Sequence, residues 1–73
     1  MFDIHSVETV GGWSVEYVRK FLNFNKVFFS LNDFEIRKLE ENGINGRALL
    51  RYTEKKLMQD GLRRGPAINL AYR

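Results

Sequence analysis

Asn42-Gly-Ile-Asn-Gly-Arg-Ala-Leu-Leu-Arg-Tyr-Thr-Glu-Lys-Lys-Leu-Met-Gln-Asp-Gly-Leu-Arg-Arg-Gly-Pro66 is the stretch that decides the fold. It reads as two short helices and the start of a third, joined with almost no spare loop. Gly43, Gly46, Gly61 and Gly65 punctuate it. Thr53 stands where a helix begins, because its hydroxyl can accept a bond from an otherwise unpaired amide of the next turn. Pro66 fits the first position of a following helix, where a missing N–H costs nothing. Such crowding of starts and stops predicts a compact bundle of small helices.

The same local code recurs outward from this stretch. With Ser14 as cap, Trp13 and Val18 have the spacing of a hydrophobic staple. With Asn32 as cap, Leu31 and Ile36 can staple, and Glu35 stands where a capping box wants a carboxylate. Ile44 and Leu49 flank Asn45 in the same way, and Tyr52 and Leu57 flank Thr53. Four consecutive starts with a polar cap between apolar partners predict helix after helix.

The first helix starts at Ser14, with Val15, Val18, Phe21 and Leu22 on one apolar stripe. The second runs from Asp33 to Glu41, with Ile36 and Leu39 inward, and Asn42-Gly43 ends it. The third covers Gly46 to Tyr52 and the fourth Glu54 to Gln59. Gly61 is a natural left-handed stop, and Leu62 dips into the core. The fifth starts at Pro66, with Ile68 and Leu70 or Ala71 inward. Between the first two helices, Asn23-Phe-Asn-Lys-Val-Phe-Phe-Ser-Leu is aromatic and β-branched. Its Lys26 to Leu31 portion has strand character, but a lone strand has no partner, so an apolar connector plugging the bundle is expected. Core filling by Phe24, Phe28 and Phe29 competes there with partial exposure. Residues Met1 to Gly12 have no clear period and are read as a tail or loosely docked arm, which leaves 13–73 as the domain.

Composition narrows the function. The 73 residues allow one domain with little interior. A content of 44% hydrophobic and 29% charged residues argues against disorder. Cysteine is absent, which excludes a disulfide framework and a thiolate metal site. No apolar run approaches the length that spans a bilayer, and Met1-Phe-Asp-Ile-His lacks the features of a signal peptide. An intracellular location, cytoplasmic or nuclear, is the expectation. The net charge of +3 is too small to identify a nucleic-acid binder by itself. His5 is the only histidine and lies in the arm. Glu40 and Glu41 are adjacent, so on a helix they point about 100° apart and do not form an acid–base couple. No catalytic residue, metal site, cofactor or small-molecule substrate is expected.

Trp13-Ser-Val-Glu-Tyr-Val-Arg-Lys-Phe-Leu22, the Glu41-Asn-Gly-Ile-Asn-Gly-Arg-Ala-Leu-Leu-Arg-Tyr-Thr-Glu-Lys-Lys-Leu57 segment and the closing Gly61-Leu-Arg-Arg-Gly-Pro-Ala67 together resemble a sterile alpha motif (SAM) domain. The resemblance covers Trp13 to Arg73. It implies an all-α, compact five-helix SAM-like bundle; this chain departs from the family in its aromatic connector and in a short final helix, since Pro66 to Arg73 would span only about 12 Å. It also implies a protein–protein interaction module, in which one surface lies at the start of the last helix and the other around the middle of the domain.

The residues give those two surfaces a charge. Arg63-Arg64 precede the last helix, where unpaired amides already make the helix start positive. Arg63, Arg64, Gly65, Pro66 and Ala67 are therefore expected to form a basic end surface that attracts an anion. Glu35, Glu40, Glu41, Asn42 and Glu54 are the expected acidic mid-domain surface. Glu54 has a competing role at its own helix start, and ordinary solvated faces are the alternative for the charges. Pairing with a second copy or another SAM domain follows, as a contact that need not close on itself. The alternative is RNA-hairpin binding by a basic patch of Arg19, Lys20, Lys26, Arg63, Arg64 and Arg73.

Overall fold

The computed structural model describes residues 7–72, which fold as seven helices and no strand. They are α1 (Val7–Gly11), α2 (Val15–Phe24), α3 (Lys26–Phe29), α4 (Asp33–Glu41), α5 (Gly46–Arg51), α6 (Glu54–Gln59) and α7 (Arg64–Ala71). The all-helical bundle is the one the caps foretell. Its helix count rises from five because the arm and the connector each form a short helix of their own.

All four proposed caps close. The side chains of Ser14, Asn32, Asn45 and Thr53 accept from the amides of Tyr17, Glu35, Ala48 and Lys56 at 2.7–3.2 Å. Asn32 and Glu35 complete the reciprocal box, since the Asn32 amide donates to Glu35 Oε1 at 2.9 Å. Each such cap stabilises a helix start by about 1 kcal/mol. Gly61 takes φ 112°, a left-handed stop after α6 that a side chain would strain.

The core is one cluster: Val18 and Leu22 of α2, Phe29 of α3, Leu31, Ile36 and Leu39 of α4, Ile44, Leu49 of α5, Leu57 of α6, Leu62, and Ala67 and Leu70 of α7. Trp13, Phe21, Ala48, Tyr52 and Ala71 pack against it. Every member of the four staple pairs therefore lies in or on the core. Packing runs α2 on α4, α6 on α7, α1 on α5, and α3 between α2 and α7.

The connector is helical rather than extended, and its aromatics divide. Phe29 is fully buried, whereas Phe24 and Val27 are 85% and 88% exposed and Phe28 stays largely in solvent with its edge on Phe29. Ser30 ends α3 at φ 62°, a left-handed conformation that costs a non-glycine residue roughly 1 kcal/mol.

Two features depart from expectation. The described part of the arm carries α1, docked on α5 with Val10 buried. Gly46 makes this possible: its amide donates to the Trp13 carbonyl at 2.9 Å, and a Cβ there would overlap the Val10 carbonyl. The final helix begins at Arg64, so Pro66 is its third residue rather than its first. Proline is tolerated there because the first-turn amides have no intrahelical acceptor. The earlier start turns Pro66, Ala67 and Leu70 inward and leaves Ile68, expected inside, exposed.

Candidate functional site

The start of α7 is the best-built polar feature of the molecule. Arg63 is the N-cap residue but offers no side-chain acceptor to the helix. Its backbone amide donates to Glu35 Oε2 at 2.9 Å, its Nε to the same oxygen at 3.0 Å, and its Nη2 to Glu35 Oε1 at 3.1 Å. Nη2 also donates to the Ser30 carbonyl at 3.0 Å. Glu35 is 1% exposed, while the Arg63 side chain is 62% exposed. The carboxylate thus closes the α4 capping box and neutralises the α7 start at once. Burial alone would raise the Glu35 pKa; the Arg63 and Asn32 hydrogen bonds and the guanidinium charge outweigh it and hold the carboxyl below its ordinary value. Glu35 in turn raises the Arg63 pKa, by hydrogen bond first and charge second.

These contacts revise several expected site residues. Glu35 is not part of an acidic mid-domain surface, because it is buried and fully engaged within its own chain. Arg63 is not awaiting an anion, because Glu35 supplies one. Pro66 and Ala67 are buried and unavailable to a partner. Arg64 and Gly65 are exposed. The Arg64 side chain, 77% exposed, has its Nε 3.6 Å from Glu54 Oε2. Glu40 meets Arg19 at 3.3 Å and Glu41 meets Lys38 at 3.9 Å, each an exposed carboxylate on a half-buried cation, and Asn42 is the exposed C-cap of α4. Such pairs contribute little and open readily.

The patch considered for RNA is largely compensated. Arg19, Lys20, Lys26, Arg63 and Arg64 each have a carboxylate within 4.0 Å. Arg73 and His5 lie outside the described residues. By contrast, Arg37, Arg47, Arg51, Lys55 and Lys56 have no ion pair among the described residues.

Between α6 and α7 lies an open hollow of about 730 Å³, lined by Thr53, Glu54, Lys55, Met58, Gln59, Arg64 and Tyr72. A second of about 410 Å³ lies between α2 and α4, around Arg19, Asn23, Lys26, Asp33, Ile36, Arg37 and Glu40. Tyr52, beside the first hollow's Thr53, donates its hydroxyl to Asp60 Oδ2 at 2.5 Å. That bond, with burial and the Asp60 charge, pushes the phenol up to about 12. Among the described residues no group of three or more His, Cys, Asp or Glu is placed to hold a metal ion. No helix among them is long and apolar enough to cross a membrane.

Sequence reasoning found the capping-box role of Glu35 but missed its contact with Arg63. A signal existed: Glu35 and Leu39 are one helical turn apart, which places the carboxylate on the inward stripe of α4. A buried carboxylate requires a partner, and Arg63 was the available cation near the bundle's end.

A family model described as a SAM-like domain matches residues 1–72. No curated protein and no solved structure matches the chain.

Proposed function

The chain belongs to the SAM-like domain family, and from that premise we propose that it is a non-enzymatic protein–protein interaction module that pairs with a second copy or with another SAM domain. One surface is the exposed start of α7, Arg64 and Gly65, with the α6–α7 hollow beside it. The other is the exposed end of α4, Glu40, Glu41 and Asn42. The single observation that carries this reading is the placement of Arg64. Its side chain is mostly in solvent, and its one carboxylate among the described residues is Glu54 at 3.6 Å, so exchange for a partner's carboxylate costs little.

The two surfaces lie apart. Arg63 grips the first turn of α4, while Glu41 is its last residue, about 9 Å further along the axis. A contact between them joins unlike surfaces and propagates instead of closing. Sedimentation over a wide protein concentration range tests the reading. Wild-type protein is expected to associate, and Arg64→Glu or Glu40→Lys with Glu41→Lys to stay monomeric. A mixture of the two variants should stop at a dimer, since each keeps the surface the other has lost. Variants that sediment like wild type would refute the surface assignment.

A further inference from the structure

The charges of this domain do not balance one another evenly. Every described carboxylate side chain is engaged within the chain: Glu16, Asp33, Glu35, Glu40, Glu41 and Glu54 by cations, Asp60 by Tyr52. Five described cations are left over: Arg37 stands apart on α4, and the other four fall close together in the chain. Arg47 and Arg51 are one turn apart on one face of α5. Lys55 and Lys56 follow at the start of α6, after a turn of only Tyr52 and Thr53. All four are exposed.

We propose that this α5–α6 row is a second docking surface, which receives an acidic, leucine-type amphipathic segment of a partner protein. The proposal rests on the reading of the domain as a protein-interaction module, but uses residues outside the α7-start and α4-end surfaces. Charge complementarity sets the sign of the partner. The described carboxylates of a second copy are each held in an internal contact, and those at the α4 end are already assigned to the pairing proposed above, so a different protein with free carboxylates is the partner that fits this row. The ground beside the row sets the rest of its chemistry. Lys55 lines the α6–α7 hollow together with Met58 and Tyr72, both exposed. A segment whose carboxylates meet the cations can therefore lay an apolar side chain on that floor.

Two other polyanions fit less well. Single-stranded nucleic acid binds where successive aromatics beside the cations stack its bases. Here two tyrosines lie near the row, but Tyr52 is half-buried on the core and only Tyr72 is exposed, while the exposed Phe24 and Phe28 sit at the α2–α3 corner. An anionic bilayer takes a basic patch with apolar wedges inside it. Here the most exposed apolar residues, Phe24, Val27 and Phe28, stand beside Lys26, which is already held by Asp33 at 3.0 Å.

Fluorescence anisotropy tests the proposal with a labelled peptide of repeating Glu-Glu-Leu as probe. Comparators are a poly-Glu peptide, a single-stranded RNA oligonucleotide and vesicles containing phosphatidylserine. The Glu-Glu-Leu peptide is expected to bind about tenfold tighter than poly-Glu, through its leucines, and to weaken as salt is raised. Arg47→Glu with Arg51→Glu should weaken it at least about tenfold, with an unchanged circular-dichroism melt; Arg47→Gln with Arg51→Gln should weaken it less, in the same direction. Arg64→Glu, which tests the α7-start surface, should leave most of this binding intact. Tighter binding to RNA or to vesicles than to the peptide would overturn the proposal, as would a folded Arg47→Glu/Arg51→Glu protein that binds the peptide like wild type.

Discussion

Glu35 and Arg63 stand 28 residues apart in the chain and share three hydrogen bonds, one of them from the Arg63 backbone. The carboxylate is buried and the guanidinium lies over it, largely in solvent. The native state holds this carboxyl below its ordinary pKa. Its stabilisation is therefore complete above the unfolded-state value of about 4.3 and is lost as pH falls through the lower native value. Urea unfolding from pH 7 down to pH 3 measures it. Glu35→Gln is expected to lose about 1.5–3 kcal/mol at neutral pH, with the gap to wild type closing in acid. Arg63→Met should lower neutral-pH stability and flatten the same acid limb. Parallel curves for wild type and Glu35→Gln would contradict this.

Tyr52 carries the opposite dependence. Its pKa is raised to about 12, chiefly by the bond to Asp60. The stability it supplies is complete below the unfolded-state value of about 10 and is lost as pH rises through about 12. Ultraviolet difference absorbance should find one of the three tyrosines titrating last. In Tyr52→Phe that late phase should vanish, at a cost of about 0.5–1.5 kcal/mol at neutral pH. A late phase that survives the substitution would assign the shift elsewhere.

Gly46→Ala tests the docking of α1. The new Cβ would overlap the Val10 carbonyl and come within 2.9 Å of Trp13 Cβ. Backbone cannot rotate aside as a side-chain tip can, so α1 must lift or α5 must shift. The expected loss is about 1–3 kcal/mol, with a red-shifted Trp13 emission. Deleting residues 1–11 should remove much of the penalty; an equal penalty in the shortened chain would count against the apposition.

The aromatic corner divides sharply in energy. Phe29→Ala opens a cavity in the core and is expected to cost about 3–5 kcal/mol. For a domain this small that approaches its whole stability. Phe24→Ala, at a position 85% exposed, should change stability by no more than about 0.5 kcal/mol. Chemical denaturation of the pair decides; comparable losses would mean that Phe24 is sheltered in solution.

What was legible in the sequence was local. Ser14, Asn32, Asn45 and Thr53 announce helix starts because a cap and its amide lie three residues apart. The bounds of α4 and α6 followed from the same code. What failed to be legible depends on distant packing. Nothing near Phe24, Phe28 and Phe29 says which ring turns inward; α7 decides, and Asn69 donates to the Phe29 carbonyl at 3.0 Å. The start of α7 two residues before Pro66 decided which residues of the basic end face water. Arginines at a helix start looked uncompensated because Glu35 is far off in sequence, and its apparent local duty at Asn32 concealed the second one. The free cations at 47–56 became distinguishable only once every described carboxylate had an owner.

Main chain meets main chain where α1 reaches α5, at Gly46, the Trp13 carbonyl and the Val10 carbonyl, and the Val10 side chain is buried beside them. A seat of that kind asks for a bare position 46 and an apolar position 10. Kinship in this arm should thus be traced first by that glycine and that apolar anchor.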